Sequence, residues 1–495
     1  MAQTLIASPQ TFSPAYNPLK FIVDSTNKNN SGFKYVFQVF EGGTTNKIGE
    51  YKVIPRINDG YGEQDLSKLI QSQVSWTLDT TSTASIEALE SKYDYSVKIG
   101  EEYVAEYIYT ANLTNNSGNV RISTTNTFVA GDQVVITQAD GGVANPLLEG
   151  LHTVISATSS TVTVNVAWSS ITSNTIDGVV RYADNRKIIT LNIINLANYR
   201  AFNGAVRHMD WMLYDENDYV MNGITKQFVT NQPQSFHATL GQDIWFNGRT
   251  RDGHNFVFQN DAGDTFKKII TPAVTYTQTG IGPNNLGTLT LSSGTAPLIK
   301  PTTKWYDVWY NSTATIGAQD SQKYRIYLDN RIIIEEYHIL FLDRMGSWSS
   351  FAFQLKAYEK GEVNREMYNK NIEGYVSDGH WTYGVEEFGF HYFNTNVVKS
   401  MDLNSNWMDE GMAQYYEELV TSPMTYLKIT RYITDQMGTV FGIEEEGCVS
   451  RIPESTTYVP VMVTNNSYEV YKQRNKNLIR QSVNVRFSNQ DNING

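Results

Sequence analysis

The sequence predicts a mainly β, multi-domain protein, in which β-sandwich modules carry an inserted small β-barrel and few short helices. Tyr, Phe and Trp supply 12% of the 495 residues, and aromatic side chains favour strands. Runs that alternate apolar and polar residues are separated by turns rich in Gly and Asn, which is typical of hairpins. The best helix candidate is 405–420, where apolar residues recur near helical spacing before Pro423.

Residues 1–105 and 186–272 are predicted to form one discontinuous β-sandwich. Strand-like runs at 21–25 and 33–40 flank a polar turn, as in a hairpin. A short helix is expected at 66–73. The strand-like pattern returns after residue 186, so the segment between the two parts reads as an insertion.

Residues 106–185 differ from their surroundings because they are rich in Ser, Thr and Asn. Short strand-like runs at 128–136, 148–155 and 161–166 follow one another at near-regular spacing. Such spacing is typical of a small barrel. Insertions of this kind are tolerated in surface loops whose ends lie close together.

The segment 273–303 is rich in Gly, Pro, Thr and Asn and is predicted to be a linker or an extended arm. Residues 304–495 are predicted to form a C-terminal β-rich domain with one short helix near 405–420. Within this domain 337–342 is almost entirely apolar, which is typical of a central strand.

Composition limits the classes of function. The net charge is −12, with no Lys or Arg cluster longer than a pair, which argues against specific nucleic-acid binding. An acidic wall could still let DNA slide past it. No leader and no apolar run near the ~20 residues of a membrane span is visible. The single cysteine, Cys448, cannot form an intrachain disulfide, so a cytosolic site of synthesis is expected.

No pattern predicts a metal, cofactor or catalytic site. Seven scattered histidines form no zinc signature, and Glu387 with His391 lies in a strand-like run. The run 215–218 resembles a calcium loop, but Tyr219 occupies the place of an oxygen ligand, so a hairpin turn joining 209–214 to 219–221 is expected. Acidic neighbours disfavour a thiolate at Cys448. We therefore predict no enzyme activity and no cofactor.

A glycosidase is the enzymatic alternative, because carboxylates and aromatic side chains can together hold a sugar. Three acids lie close in sequence to four aromatic residues: Asp378, Glu386 and Glu387 among Trp381, Tyr383, Phe388 and Phe390. The separation of paired acids cannot be read from a sequence. Aromatic residues in sheets are also common in cores.

Several segments resemble virion proteins of tailed phages that infect Bacteroidota, including crAss-like phages. These segments are Tyr16-Asn17-Pro18-Leu19 with 21–27, Phe33-Lys34-Tyr35-Val36-Phe37, 54–56 with Asp59-Gly60-Tyr61-Gly62, 339–348 and Val461-Met462-Val463-Thr464-Asn465. The runs 130–136 and 149–154 are similar to small barrels that decorate phage tail and fibre proteins. The resemblance implies a structural role in the virion.

The expected function is therefore a structural component of a tailed bacteriophage virion, forming a homo-oligomeric ring or connector in the tail or baseplate. It would be assembled in the host bacterial cytoplasm. Its partners would be further copies of itself and other tail, connector or fibre proteins, reached by segment 273–303 and the polar termini. Low charge with many aromatic residues is the bias of surfaces that become interfaces. The alternative is a receptor- or glycan-binding tail fibre protein, possibly a carbohydrate-active enzyme, although neither repeats nor heptads are present.

Overall fold

The predicted fold class is confirmed: the chain is a mainly β protein with several sheets. A computed structural model describes residues 3–76, 78, 85–87, 90–110, 113–249, 255–269, 276–286, 298–300, 302–311, 318–329, 336–386, 389–432, 453–465, 479–488 and 491–494. Within them lie three α-helices, α1 (Ser67–Gln71), α2 (Pro283–Leu286) and α3 (Glu410–Val420). Three short 3-10 helices span Trp168–Ser170, Trp211–Leu213 and Glu216–Tyr219.

The strands are numbered in chain order. The first sixteen are β1 (Gln3–Ala7), β2 (Phe12–Pro14), β3 (Lys20–Ser25), β4 (Lys34–Glu41), β5 (Lys47–Val53), β6 (Gly62–Asp65), β7 (Ser85–Glu87), β8 (Lys92–Val104), β9 (Glu106–Tyr109), β10 (Leu113–Asn116), β11 (Asn119–Ser123), β12 (Gln133–Gln138), β13 (Gly150–Thr158), β14 (Thr161–Ala167), β15 (Gly178–Tyr182) and β16 (Lys187–Phe202). The remainder are β17 (Ser235–Thr239), β18 (Trp245–Gly248), β19 (Asn255–Asn260), β20 (Thr265–Ile269), β21 (Thr277–Gly280), β22 (Trp305–Asn311), β23 (Tyr324–Asp329), β24 (Tyr337–Leu342), β25 (Trp348–Phe353), β26 (Tyr358–Asn369), β27 (Tyr375–Ser377), β28 (His380–Thr382), β29 (Phe390–Asn404), β30 (Thr425–Tyr432), β31 (Pro453–Val463), β32 (Ser482–Phe487) and β33 (Asp491–Asn494).

The chain divides into two compact units. The first comprises residues Met1–Gln73 and Tyr93–Ala201, and the second comprises Val74–Lys92 and Phe202–Gly495. This differs from the predicted division, which joined 186–272 to the first domain. Only β16 returns to the first sandwich, whereas β17, β19 and β20 share a sheet with β22 and β23 of the predicted C-terminal domain.

The first unit contains a β-sandwich. Its sheets have the strand orders β1-β3-β6 and β2-β16-β8-β4-β5. Phe21 on β3 packs edge-on against Tyr199 on β16, with ring centroids 5.3 Å apart, so the two sheets meet across an aromatic core. The short helix predicted at 66–73 is present as α1.

The inserted segment forms a seven-stranded sheet of its own, in the order β10-β11-β14-β13-β12-β15-β9. Strand β13 pairs with β12 through its first residues and with β14 through its last, so it serves both halves of the sheet. Alternate valines and isoleucines make a separate core, including Ile122, Ile136 and Val164. The described pairing ends at β10 and β9, so the predicted small barrel takes the form of a half-barrel sheet.

The second unit has three main sheets. A five-stranded sheet runs β17-β23-β22-β19-β20, with β17 parallel to β23. A three-stranded sheet runs β18-β21-β7, and the largest sheet runs β25-β24-β30-β31-β32-β29-β26, with β33 also on β29. The predicted central strand 337–342 is β24, which lies between β25 and β30.

Two local predictions differ from the structure. The expected hairpin around 215–218 is replaced by two 3-10 helices, because Asp215 caps the second one by accepting from the Asn217 N–H at 2.9 Å. The expected linker 273–303 contains, in its described part, β21 and α2. Thr277, Thr279 and Leu286 there are fully buried, so this part of the segment belongs to the body of the unit.

The predicted helix near 405–420 is α3, which begins five residues later than expected. Asp409 forms its N-cap, and its carboxylate accepts from the backbone N–H of Met412 at 2.8 Å. Met412, Tyr415 and Leu419 face the core of the second unit. Among the described residues, no helix has both the length and the apolar character needed to cross a membrane.

Candidate interaction surface

A long hairpin dominates the surface of the largest sheet. Strands β26 and β29 pair antiparallel along the whole length of β26, and the residues between them carry the small sheet of β27 and β28. We call residues 358–404 the arm. The last residues of β29 also pair with β32 and those before them with β33, so β29 anchors the arm to its sheet.

All twelve residues of β26 are exposed. The cause is visible in the sequence, because charged residues occupy both faces of this strand. Glu359 and Arg365 lie on one face, and Lys360, Glu362 and Glu366 lie on the other. Neither face can be buried without removing charges from water, so the strand stays at the surface.

The arm nevertheless exposes large apolar side chains. Val385 is fully exposed, and Trp381 and Phe390 are 61% and 69% exposed. Others that are more than two-fifths exposed are Tyr358, Val363, Met367, Tyr368, Tyr375, Val376, Tyr383, Tyr392 and Phe393. Clusters of exposed apolar side chains on this scale are typical of sites that bind another molecule.

The acids weighed as glycosidase residues lie at the distal end of the arm. Asp378 is exposed in the turn between β27 and β28, and Glu386 is exposed beyond β28. The rings of Trp381 and Tyr383 are 5.6 Å apart, so the structure does bring these aromatic residues together. Glu387, Phe388 and Cys448 lie outside the described residues.

His391 lies on the arm beside Tyr368, with ring centroids 5.8 Å apart, and its Nδ1 is 2.9 Å from the Tyr392 carbonyl oxygen. These are contacts of a surface aromatic group. Across the described part of the chain, no three His, Cys, Asp or Glu side chains come together as a set that could hold a metal ion.

Strand β26 forms one edge of the arm, and among the described strands this edge has no partner. The strand lies last in the order of its sheet. The pairing of β26 with β29 shifts register between Glu366 and Met367, where Glu366 pairs with Asn394 and Met367 with Tyr392. The extra residue, Phe393, is therefore on β29, and β26 itself is a regular strand. A long, regular and exposed edge can template a further strand.

A second exposed apolar group surrounds the 3-10 helix Trp211–Leu213. Met209, Met212 and Leu213 are 87%, 91% and 81% exposed. In the same loop the rings of Trp211 and Tyr214 stack, with their centroids 5.3 Å apart. Among the described residues of the second unit, the arm therefore exposes more large apolar side chains than this loop does.

A cavity of about 430 Å³ opens elsewhere in the second unit. Trp407 lines it and is 51% exposed, with the Arg480 guanidinium 4.1 Å from its ring centroid. The Gln354 amide donates to Asp329 at 3.2 Å and accepts from Asn406 at 3.1 Å along the wall. An aromatic ring beside a row of amide and carboxylate groups suits a ligand with an apolar face and hydroxyl groups.

The segment 339–348, which carries part of the family resemblance, is buried. Asp343, in the turn between β24 and β25, accepts from the Thr230 hydroxyl at 2.7 Å and from the Ser347 N–H at 2.8 Å. Burial, together with the neighbouring carboxylate of Glu418, raises the pKa of Asp343 to about 7, although the hydrogen bonds that it accepts oppose the shift. This acid organises a turn and faces core side chains such as Tyr415.

No protein-family model matches this chain, and no curated protein is significantly similar to it. Among solved structures, the chain is similar to a crystal structure of Salmonella alpha-2-macroglobulin reacted with methylamine, with 8% sequence identity and a TM-score of 0.12. The match covers 100% of this chain and 40% of that one, so the chain spans less than half the length of that protein. We draw no conclusion about fold or function from a likeness of this size.

Proposed function

We propose that this chain is a structural component of a tailed phage virion, which assembles as a homo-oligomeric ring or connector in the tail or baseplate. The observation that carries the proposal is the arm, with its exposed aromatic residues and its open strand edge. A surface of this kind is costly for a protein that acts alone. The sequence resemblance to virion proteins of Bacteroidota phages supports the same role.

The architecture suits a building block. The second unit and the inserted module each have a hydrophobic core of their own, and a hairpin such as the arm can reach a neighbouring subunit. Twelve residues of extended strand span about 40 Å, which is comparable to the width of a small domain. In the assembled particle the arm would lie against the next copy or against another tail protein, and its apolar side chains would be covered there.

The deciding measurement is the position and copy number of the chain in the intact particle. We expect cryo-electron microscopy of the virion to show several copies around the tail axis, and quantitative mass spectrometry to give the same number. A chain that is present once per particle, or absent from purified virions, would overturn the proposal.

The role of the arm can be tested separately in infected cells. Replacing Tyr375, Trp381 and Tyr383 with Ser should leave the chain folded and exclude it from particles. A matched control replaces Leu151, Ile155 and Val129, which are exposed on the inserted module, with Ser. If the arm variant enters particles as well as the control does, the arm is not the assembly surface.

Glycan binding is the second candidate, because two places expose aromatic rings beside polar groups. One is the end of the arm at Trp381, and the other is the cavity at Trp407. Binding of the purified chain to host surface polysaccharide that is lost in Trp381→Ala or Trp407→Ala would favour this function. Loss of binding in only one variant would identify the site.

A further inference from the structure

The charges of β26 are arranged so that its outer edge can pair with a second copy of itself. Two copies of a strand can pair antiparallel around a twofold axis that is perpendicular to the sheet. The even-numbered side chains of both copies then lie on one face of the sheet, and the odd-numbered side chains of both lie on the other. An even-numbered residue therefore faces an even-numbered residue of the other copy, and an odd-numbered residue faces an odd-numbered one. Such registers are centred on a single residue, which faces its own copy.

We propose that the free chain dimerises by antiparallel pairing of β26 with β26 of a second copy, centred on Val363. In this register Lys360 faces Glu366 twice, Tyr358 faces Tyr368 twice, and Val363 meets its own copy at the axis. The two ion pairs and the aromatic pairs are favourable cross-strand contacts. The paired region would cover eleven residues, and the result would be a continuous sheet across the two arms.

The neighbouring twofold registers are unfavourable because they place like charges opposite each other. Centring the pair on Glu362 brings Glu362 against its own copy, and centring it on Asn364 brings Glu362 against Glu366. Like charges directly opposite each other destabilise a sheet. The charge pattern of β26 therefore disfavours both neighbouring registers. Centring on Gly361 also avoids like charges but pairs only residues 358–364 of the strand, so the register centred on Val363 pairs more of β26.

The exposed state of the strand makes this pairing accessible. All of its residues are exposed, and the bulge of the hairpin lies on β29, so the outer edge stays regular. Lys360 also pairs with Asp402 within its own chain, and its side chain remains 59% exposed. An ammonium group has three donors, so one lysine can contact Asp402 and a Glu366 of the second copy together.

This dimer goes beyond the proposed function and does not depend on it. A twofold contact closes on itself and cannot build a ring of head-to-tail subunits. We assign it to the free chain, where it covers a strand edge that would otherwise recruit other strands. Incorporation into a particle would then require the two arms to separate.

Analytical ultracentrifugation of the purified full-length chain tests the contact. We expect a dimer at tens of micromolar, weakened roughly tenfold or more in Lys360→Glu and in Glu366→Lys, because each single reversal opposes like charges. The double variant K360E/E366K should restore dimerisation, and Glu373→Lys, an exposed reversal outside β26, should leave it unchanged. Circular dichroism checks that each variant is folded. A monomeric wild type, or single reversals without effect, would show that β26 is not the interface.

Cross-linking tests the register. In a Cys448→Ser background, Val363→Cys should form a disulfide-linked dimer under mild oxidation, because the two copies of this residue meet at the axis. Asn364→Cys should not, because it faces residue 362 of the other copy. Equal cross-linking of both variants, or none in Val363→Cys, would contradict the register. The location of the chain in virions is a separate measurement, so the dimer and the proposed function can fail independently.

Discussion

Lys428 donates a hydrogen bond of 2.6 Å to Asp243 in the interior of the second unit, where the two side chains are only 2% and 3% exposed. The same carboxylate accepts from the Tyr458 hydroxyl at 3.0 Å and from the Asn284 amide at 2.6 Å. These donors satisfy a charge that would otherwise be buried alone. Burying a charge without its partner is among the most costly changes in a protein interior.

We predict that Lys428→Met lowers the free energy of unfolding by about 3–5 kcal/mol, because it leaves Asp243 charged and buried. The matched control is Lys300→Met, which breaks the partly exposed pair with Asp264 and should cost about 1 kcal/mol or less. Urea denaturation followed by fluorescence measures both. If both variants lose the same free energy of unfolding, burial of the Lys428–Asp243 pair does not make its loss more costly.

The raised pKa of Asp343 predicts a pH dependence of stability. Between about pH 4 and pH 7 the folded chain holds a proton on Asp343 that the unfolded chain has already released. The contribution of this group is therefore complete at low pH and is lost as the pH rises through about 7. Within this window the free energy of unfolding should fall by at most about 1.4 kcal/mol per pH unit because of Asp343.

Asp343→Asn should flatten this slope, since an amide does not titrate. The control is Asp261→Asn, an exposed carboxylate in the same unit, which should keep the wild-type slope. Denaturation at several pH values between about 5.5 and 7.5 compares the three proteins. If the free energy of unfolding falls with pH equally in the wild type and in Asp343→Asn, Asp343 is not the group that causes the dependence.

Gly346 lies in the same turn and has a φ of +83°. A Cβ atom there would be 2.0 Å from the carbonyl oxygen of Asn203, a distance that requires the backbone to move. Gly263 has nearly the same φ, +86°, with open space around it. Alanine variants at Gly263 and Gly346 can therefore be compared. The comparison separates the stability lost through the contact with Asn203 from the stability lost through the left-handed conformation.

We predict that Gly263→Ala costs about 1–2 kcal/mol and that Gly346→Ala costs about 2 kcal/mol more. Thermal unfolding of the two variants in parallel gives the comparison. If the two alanine variants are equally stable, the contact with Asn203 relaxes at no cost.

The inserted module should be separable from its sandwich. The backbone N–H of Ala105 donates to the carbonyl oxygen of Arg186 at 2.9 Å, so the chain leaves and re-enters the sandwich at one place. Replacing residues 106–185 with a short Gly/Ser linker should leave the rest folded, and the excised segment should fold alone. Circular dichroism and cooperative melting check each piece. Loss of cooperative melting in the deletion variant would show that the two cores depend on each other.

Local patterns were enough to predict the fold class and many elements. Alternating residues identified the strands of the inserted module, and the apolar run at 337–342 identified a central strand, because these signals reside in neighbouring residues. Helix α3 was placed correctly but begins later, since the N-cap at Asp409 sets its start. The short helix α1 was also predicted.

Long-range pairing could not be predicted in the same way. The alternation in β17 and β19 does not say that their partners are β22 and β23, more than forty residues further along. For the same reason a linker or an extended arm was expected at 273–303, where Gly and Pro are frequent, and no arm was expected at 358–404. The signal for the arm was present in β26, whose charges lie on both faces and leave no face to bury.

The hydrogen bond between Ala105 and Arg186 also has a consequence for the order of folding. Strands β8 and β16 are neighbours in the sandwich, yet about 80 residues separate them, and closing so long a loop costs chain entropy. Once the module has folded, the same connection acts as a short loop. During synthesis the module is complete before β16 leaves the ribosome, so we expect it to fold first and to act as a template for the sandwich. Weakening the module core with Val164→Ala should then slow refolding of the sandwich in stopped-flow experiments, and an unchanged rate would exclude this order.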